Sequence, residues 1–522
     1  MTTRRFAALA APPVSGVLLW LASPPGNAGW LAWVALVPAA VVAIGSPDTR
    51  WGRSAIPIAY GVFLELLFVP ALPFGLAHDQ WGDPVAPVMV RESPVLAVAL
   101  VAIPLVVLLL VVLRFPQPLP LGRPTALPAA LAAVFVPAAS WTALDLLRVK
   151  FDPGGFWGPL FLSQQGTAAV DLAALAGPWL VTFALVTVNY TLALAVVSTP
   201  RLALVPAAGA LLLLAPMPAV GGAGSERRVV VAAVQPGYDT AEFERPVLYF
   251  LRRPTRDLEQ ASLDLAGDLA PLTREAAARG AELVVWPEAT VWVDPEEPGP
   301  VRDALSALAR ETGTTIVVPY FLRSHAYGAA VAVLPGGTVS RAQPKQRPMW
   351  FLGEKGGNRV PAAPVATGAA RVGALLGVDT QDPASARRLT SAGGEVLTSS
   401  THDWAALADE QQALTRFHAT ALGVPIVRAD WRYGSAIVSA EGEVVAEAGL
   451  EKRRLVLVAT VATAGEATPY RRIGDAFGWG CVAALVPLAL GARRLRSGGE
   501  RANAERSPNA APESELAAHP PP

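Results

Sequence analysis

Seven apolar stretches follow one another through the first 220 residues, and an eighth returns near the carboxyl end, with a long polar region between them. They cover residues 6–21, 30–44, 56–72, 95–112, 127–147, 173–196, 202–220 and 477–490. Apolar runs of this length predict a multi-pass α-helical membrane domain of about eight spans. Composition agrees: 52% of the 522 residues are hydrophobic and only 16% are charged. A mean hydropathy of +0.39 is too high for an ordinary soluble protein of this size. Prolines and small residues inside several runs fit membrane helices that pack on one another. Arg4 and Arg5 before the first run fit a signal peptide as well. The second run follows at once without a small-residue cleavage site, so a retained helical hairpin is expected.

Basic residues near the loops orient the chain. With the amino terminus inside, Arg4, Arg5, Arg50, Arg53, Arg114, Arg123, Arg201, Arg493, Arg494 and Arg496 fall on the inner side, against Arg91, Arg148 and Lys150 outside. The polar region is thereby placed on the exterior side of the membrane. The expected organisation is a membrane domain over 1–222, an exterior domain over 223–465, a last membrane helix over 466–496 and a disordered cytoplasmic tail over 497–522. Equal numbers of acidic and basic residues, without a basic run, give no reason to expect a nucleic acid partner. The five histidines and single cysteine lack ligand spacing, so neither metal nor cofactor is expected.

The exterior region reads as layered α/β. Short β-branched runs at 228–234, 283–286, 315–319, 329–334, 395–400, 425–428, 436–439 and 455–461 alternate with helical stretches at 272–279, 301–311 and 404–422. Its length suffices for one sizeable core. Within it, the run ending Val284-Val285-Trp286-Pro287-Glu288 is a buried strand that stops abruptly. The Glu288 carboxylate then stands at the carboxyl edge of a sheet, where α/β sites assemble. On that segment alone, an ordinary solvated glutamate fits equally well.

Two further features follow in order: Lys345 in Gln343-Pro344-Lys345, succeeded by Leu352-Gly353-Glu354, and the strand 373–379 closing with Thr380-Gln381-Asp382-Pro383. A carboxylate, a lysine and a strand-end turn in this order resemble the nitrilase, or carbon-nitrogen hydrolase, superfamily. The membrane parts narrow the resemblance. Residues 21–25 with 31–38 resemble the amino-terminal hairpin of apolipoprotein N-acyltransferases. Trp141 through Arg148 with Gly155-Phe156-Trp157 resembles their loop before the sixth helix, with Asp145 where glutamate is usual. Thr468 through Asp475 resembles their entry into the last helix. The implied architecture is a membrane helical domain carrying an inserted exterior nitrilase-like sandwich.

The resemblance implies a chemistry in which a cysteine thiolate takes a fatty acyl chain from phospholipid as a thioester. It then passes the chain to the amino-terminal amine of a diacylated lipoprotein. Carried over by motif, Glu288 is the general base and acid, Lys345 the oxyanion partner, and Glu354 a second carboxylate orienting the lysine. The family strand ends Ile-Cys-Tyr-Asp or Ile-Cys-Tyr-Glu, and Leu376-Gly377-Val378-Asp379 stands in its place. Gly377 therefore occupies the nucleophile position and has no side chain to acylate. Cys481 lies inside the last apolar run, out of expected reach of Glu288.

Other groups come into question as substitutes. Asp379, two positions beyond Gly377 on the expected strand and hence on the same face, can in principle carry an acyl group as an anhydride. Its simpler role is hydrogen bonding. Thr380, Ser399 and Ser400 lack an evident histidine partner, and no Gly-x-Ser-x-Gly elbow is present. Thr401 and His402 replace a family amide and acid, while His418 and Ala421 replace an arginine and a glutamate. Two classes of function stay open: an acyltransferase with an unidentified nucleophile, and a non-catalytic member that binds phospholipid or lipoprotein or serves a membrane enzyme. Family members that pair with polyprenol-phosphate mannosyltransferases bring in a membrane glycosyltransferase as a candidate partner.

Overall fold

The structure, a computed structural model, describes residues 3–47, 49–69, 124–151, 158–214, 225–237, 258–322, 327–348, 354–355, 363–403, 405–449 and 452–487. The expected span at 95–112, the 155–157 motif and the tail over 497–522 lie outside them, as do Arg91, Arg114, Arg123 and the three arginines at 493, 494 and 496.

The amino-terminal part is helical: α1 (Thr3–Ala22), α2 (Val37–Gly45), α3 (Arg50–Val69), α4 (Leu127–Phe151), α5 (Leu172–Ala176), α6 (Pro178–Val197) and α7 (Pro200–Leu214). Among the described residues, two helices are long and apolar enough to cross a membrane, α4 and α6, not about eight. Shorter apolar helices cover Ala7–Ala22, Gly29–Gly45, Arg201–Leu211 and Ala476–Pro487. The second expected span is broken. Gly29–Trp33 forms a 3-10 turn, and α2 restarts at Val37 with nine residues, about 13 Å of helix against a hydrocarbon core of about 30 Å.

Distant side chains supply what that break leaves unsatisfied. Asn189 of α6 accepts from Leu36 N at 2.8 Å and donates to Ala32 O at 2.8 Å. Gln164 donates to Gly29 O at 2.8 Å and accepts from the Trp33 indole at 3.0 Å. Irregular backbone of this kind persists in apolar surroundings only when so paired. The expected span at 173–196 likewise starts later, because Gly177 at φ +80° separates α5 from α6.

Valine-rich strands build the second part as two six-stranded sheets. The first sheet holds β1 (Arg228–Gln235), β2 (Leu283–Val285), β3 (Thr315–Leu322), β4 (Tyr327–Val333), β5 (Gln343–Pro344) and β12 (Leu455–Ala462), in the order β12-β1-β2-β3-β4-β5. The second holds β6 (Val365–Ala366), β7 (Arg371–Leu376), β8 (Val396–Thr401), β9 (Ile426–Asp430), β10 (Ala436–Val438) and β11 (Val444–Glu447), in the order β11-β10-β9-β8-β7-β6. Each has three parallel strands at its centre, β1-β2-β3 and β7-β8-β9, flanked by antiparallel ones. Strands buried on both faces are continuous apolar runs, which is why most are readable in the sequence. The edge strands β5, β6 and β11 are not among the expected runs, being short or half exposed.

The sheets face each other through Val231, Leu283 and Val285 on one side and Val372, Leu376 and Val427 on the other. Helices α8 (Leu258–Ala278) and α9 (Pro300–Thr312) cover the first sheet through Leu269, Leu305 and Trp286. Only the end of α8 is expected from sequence; the helix runs through Pro271, which reads as a break. Helices α10 (Pro383–Ser391) and α11 (Ala405–Leu422) cover the second sheet. Beyond them the core continues into the amino-terminal helices: Leu375, Leu397 and Phe417 share one cluster with Leu146, Phe161 and Trp179. Phe161 meets Phe417 and Trp179 edge-on at 5.1 and 5.8 Å between centroids. After α12 (Pro469–Ile473) comes the terminal helix α13 (Ala476–Pro487).

Candidate active site

Glu288 follows β2 by three residues, because Pro287 has no N–H to continue a ladder. Its backbone is held from both sides. The Glu288 N–H donates to Thr401 O at 3.4 Å, and the Trp431 indole donates to Glu288 O at 2.7 Å. The next residue, Ala289, lies at φ +56°, a left-handed conformation that non-glycine residues seldom take outside strongly determined loops. These clamps fix where the side chain starts.

The Glu288 carboxylate accepts from Lys345 Nζ at 3.0 Å. Lys345 reaches Glu354 as well, with both carboxylate oxygens at 3.1 Å. Its own N–H donates to Gly328 O at 2.9 Å, hanging the residue from the edge of β4 just past β5. The lysine side chain is 4% exposed and that of Glu288 18%, so the cation is enclosed while the carboxylate stays reachable. Burial opposes the charge of Lys345, but Glu288, Glu354 and Asp379 outweigh it and raise its pKa above the ordinary lysine value. Burial raises the Glu288 pKa above the usual carboxylate range, with Lys345 pulling against it. A carboxyl so placed can take up and return a proton, and the lysine can stabilise an oxyanion.

Gly377 stands opposite, immediately after β7, at φ +47°. A Cβ built there falls 2.5 Å from Glu288 Oε2 and 2.7 Å from Oε1. The structure thus brings Glu288, Lys345, Glu354 and Gly377 together, with the Glu288 carboxylate occupying the space where a side chain at 377 would begin.

Asp379 departs from the sequence expectation, which placed it on the strand. The positive φ at Gly377 ends the strand, and residues Gly377–Gln381 form a 3-10 turn. The Asp379 carboxylate turns back to accept from Gln346 N at 2.9 Å, Arg347 N at 2.6 Å and Leu376 N at 3.2 Å. Burial pushes its pKa up to about 7 against those bonds. Fully enclosed and engaged in this way, it ties the Lys345 segment to the Gly377 turn and is not open to an acyl donor. Asp379→Ala strips a charged acceptor from three N–H groups and is expected to destabilise the domain by about 2–4 kcal/mol. Asp379→Asn, which keeps one acceptor, should lose less. Thermal melts followed by tryptophan fluorescence check that order.

Of the remaining substitutes, the Ser400 hydroxyl is enclosed within β8 and has no hydrogen-bond partner among the described residues, while the others are engaged. Thr380 and Ser399 hydroxyls bond each other at 2.8 Å in full burial. His418 Nε2 donates to Thr380 O at 2.5 Å, which identifies the protonated ring nitrogen; burial lowers its pKa. The Ala421 carbonyl accepts from Thr468 Oγ1 at 2.6 Å. Thr401 Oγ1 donates to Asp430 Oδ2 at 2.9 Å, and burial with Arg432 drives the His402 pKa down to about 3, leaving it neutral. Cys481 is buried in α13.

Sequence reading missed Trp431 and the enclosed polar network behind it. Asp430 accepts from Asp403 N at 2.8 Å, Arg432 N at 2.9 Å and Tyr433 N at 3.0 Å. Arg428 bonds Asp403 and Gly434 O. The available signal was position: these residues sit at the carboxyl ends of β8 and β9, beside that of β2.

Comparison with known proteins bears on two stretches of the chain. Residues 15–191 match the apolipoprotein N-acyltransferase N-terminal domain, and residues 257–470 match carbon-nitrogen hydrolase. No curated protein matches. A carbon-nitrogen hydrolase from Helicobacter pylori G27 is similar in structure at a TM-score of 0.36 and 16% identity, over 45% of this chain and 89% of that one. Saccharomyces cerevisiae Nit3, a member of branch 10 of the nitrilase superfamily, gives 0.37 and 16%, over 46% and 92%. An amidase from Nesterenkonia sp. gives 0.35 and 17%, over 48% and 95%. With the two family matches in this order and together taking in most of its length, the chain belongs to the apolipoprotein N-acyltransferase family.

Proposed function

We propose that this chain is a multi-pass inner-membrane member of its family that binds phospholipid and diacylated lipoprotein in the hydrolase-domain cleft without forming an acyl-enzyme. One observation carries the reading: the position facing the Glu288 carboxylate and Lys345 is a glycine, whose missing Cβ would lie 2.5 Å from Glu288 Oε2. Acyl transfer by this route needs a side chain that forms an ester or thioester, and a base with an oxyanion partner cannot replace it. Of the nearby alternatives, Asp379, Thr380 and Ser399 are enclosed and hydrogen-bonded, and Ser400 is enclosed within β8 away from any acyl donor. The retained Glu288–Lys345–Glu354 cluster fits a cleft kept for recognition. The two membrane-length helices α4 and α6 support a membrane-embedded amino-terminal part, and the flanking basic residues support an exterior hydrolase domain.

The test uses the full chain in detergent and a synthetic peptide bearing an amino-terminal S-diacylglyceryl cysteine. Saturable binding is expected, with no N-acylated peptide appearing in the presence of phospholipid. Formation of N-acylated peptide would replace this reading with an enzymatic one. Absence of binding would remove the cleft as a lipoprotein site.

A further inference from the structure

The last turn of α4 carries Lys150, whose Nζ lies 2.6 Å from Asp382 Oδ1 and 2.8 Å from Asp475 Oδ2. The three side chains are 14, 10 and 8% exposed, so this is an ion-paired cluster largely withdrawn from water. Each carboxylate has further partners. Asp382 ends the turn that begins at Gly377 and caps α10 by accepting from Ala384 N at 3.0 Å. Asp475, at the entry to α13, accepts from the Trp179 indole at 2.7 Å and the Tyr470 hydroxyl at 2.8 Å. One residue before Lys150, the Val149 carbonyl accepts from Arg347 Nη1 at 3.1 Å. Arg347 is two residues past Lys345, and its N–H is held by Asp379 in the Gly377 turn.

We infer that Lys150 is a positioning residue: it ties the Gly377 turn and the Lys345 segment to the membrane helices, so that ligand affinity in the cleft depends on this cation. The inference rests on the binding reading above. Its physical basis is the sharing of one cation by two nearly enclosed carboxylates on different elements. Removing the cation leaves two like charges facing each other with little water to screen them. The turn that bears Gly377 is then free to part from α4 and α13, while the sandwich interior, which contains none of these groups, is untouched. A cation at the carboxyl end of α4 also complements the helix dipole there.

Hydrogen exchange read by mass spectrometry tests the tie, on the full chain in nanodiscs of dioleoylphosphatidylcholine, for wild type, Lys150→Met and Lys150→Arg. Methionine keeps an apolar stem and removes the charge; arginine keeps the charge. In Lys150→Met, peptides covering 376–384 and 345–347 are expected to exchange about 10- to 100-fold faster, with 426–430 in β9 unchanged. The dissociation constant for the diacylated peptide should rise about tenfold, and Lys150→Arg should restore most of both effects. Unchanged exchange in the turn overturns the inference. So does equal acceleration in β9, which marks general destabilisation, or a loosened turn with unaltered affinity. If the wild type binds no diacylated peptide, the binding reading fails on its own, and the exchange data still decide whether Lys150 holds the turn.

Discussion

Lys345→Met is expected to destabilise the hydrolase domain by about 3 kcal/mol, the lower end of what breaking an enclosed ion pair costs, since Glu288 and Glu354 keep some exposure. For a domain of this size that corresponds to a fall of about 6–12 °C in melting midpoint. The lysine is 4% exposed and serves both carboxylates, so its loss leaves two facing charges with no cation between them. The pH dependence has a definite sign. Burial already holds the Glu288 pKa above its ordinary value, so the folded state keeps that proton more tightly than the unfolded chain. The group's contribution to stability therefore declines as pH rises from the unfolded pKa through the folded one. Without Lys345 the folded pKa rises further. The variant's deficit against wild type should thus be largest at neutral pH and shrink as pH falls. Melts at several pH values, read by tryptophan fluorescence, check this; a deficit that grows on acidification would contradict it.

Gly377→Cys is expected to supply a covalent acyl carrier at a position where the wild type has no side chain. Two costs stand against it. A cysteine at φ +47° adopts the left-handed region, at about 1–2 kcal/mol. Its Cβ would also sit 2.5 Å from Glu288 Oε2, so that carboxylate must withdraw by about 1 Å to reach ordinary van der Waals contact. The obstruction is the far end of a flexible side chain, and moving it leaves the thiol beside a base and an ammonium. The turn itself is strongly determined by Asp379, His418 and Lys150, so a new side chain meets a fixed frame. With phospholipid, the thiolate formed by proton loss to Glu288 attacks the ester carbonyl. The lysophospholipid alcohol leaves with that proton, and the acyl group remains as a thioester. The expected result is an acyl adduct on Gly377→Cys that hydroxylamine removes and that Gly377→Cys with Glu288→Ala lacks. No adduct would mean that the strained position cannot present a thiol.

Much of this arrangement is readable in the sequence because its causes are local. The strands are unbroken β-branched runs, and Trp286-Pro287 ends one of them next to Glu288. Lys345, Glu354 and Gly377 are placed by motif, and the fold brings them to one point. What escapes depends on partners far along the chain. The break in the second apolar run is stabilised by Asn189 and Gln164, more than 130 residues away. Trp431 reaches Glu288 across 143 residues. Asp379 is misplaced for a local reason of a different kind: a single positive φ at Gly377 turns the chain out of the strand, and alternation of faces stops there. Helix α8 is shortened in reading because Pro271 lies within it.

On the reading proposed above, the site holds a base and a cation but no group that accepts an acyl chain. Intact-mass spectrometry of the purified wild-type chain after incubation with phospholipid tests it most directly. The predicted result is an unchanged mass in wild type and in Glu288→Ala alike. An acyl adduct on the wild type that disappears in Glu288→Ala would contradict the claim and reveal a nucleophile working with Glu288.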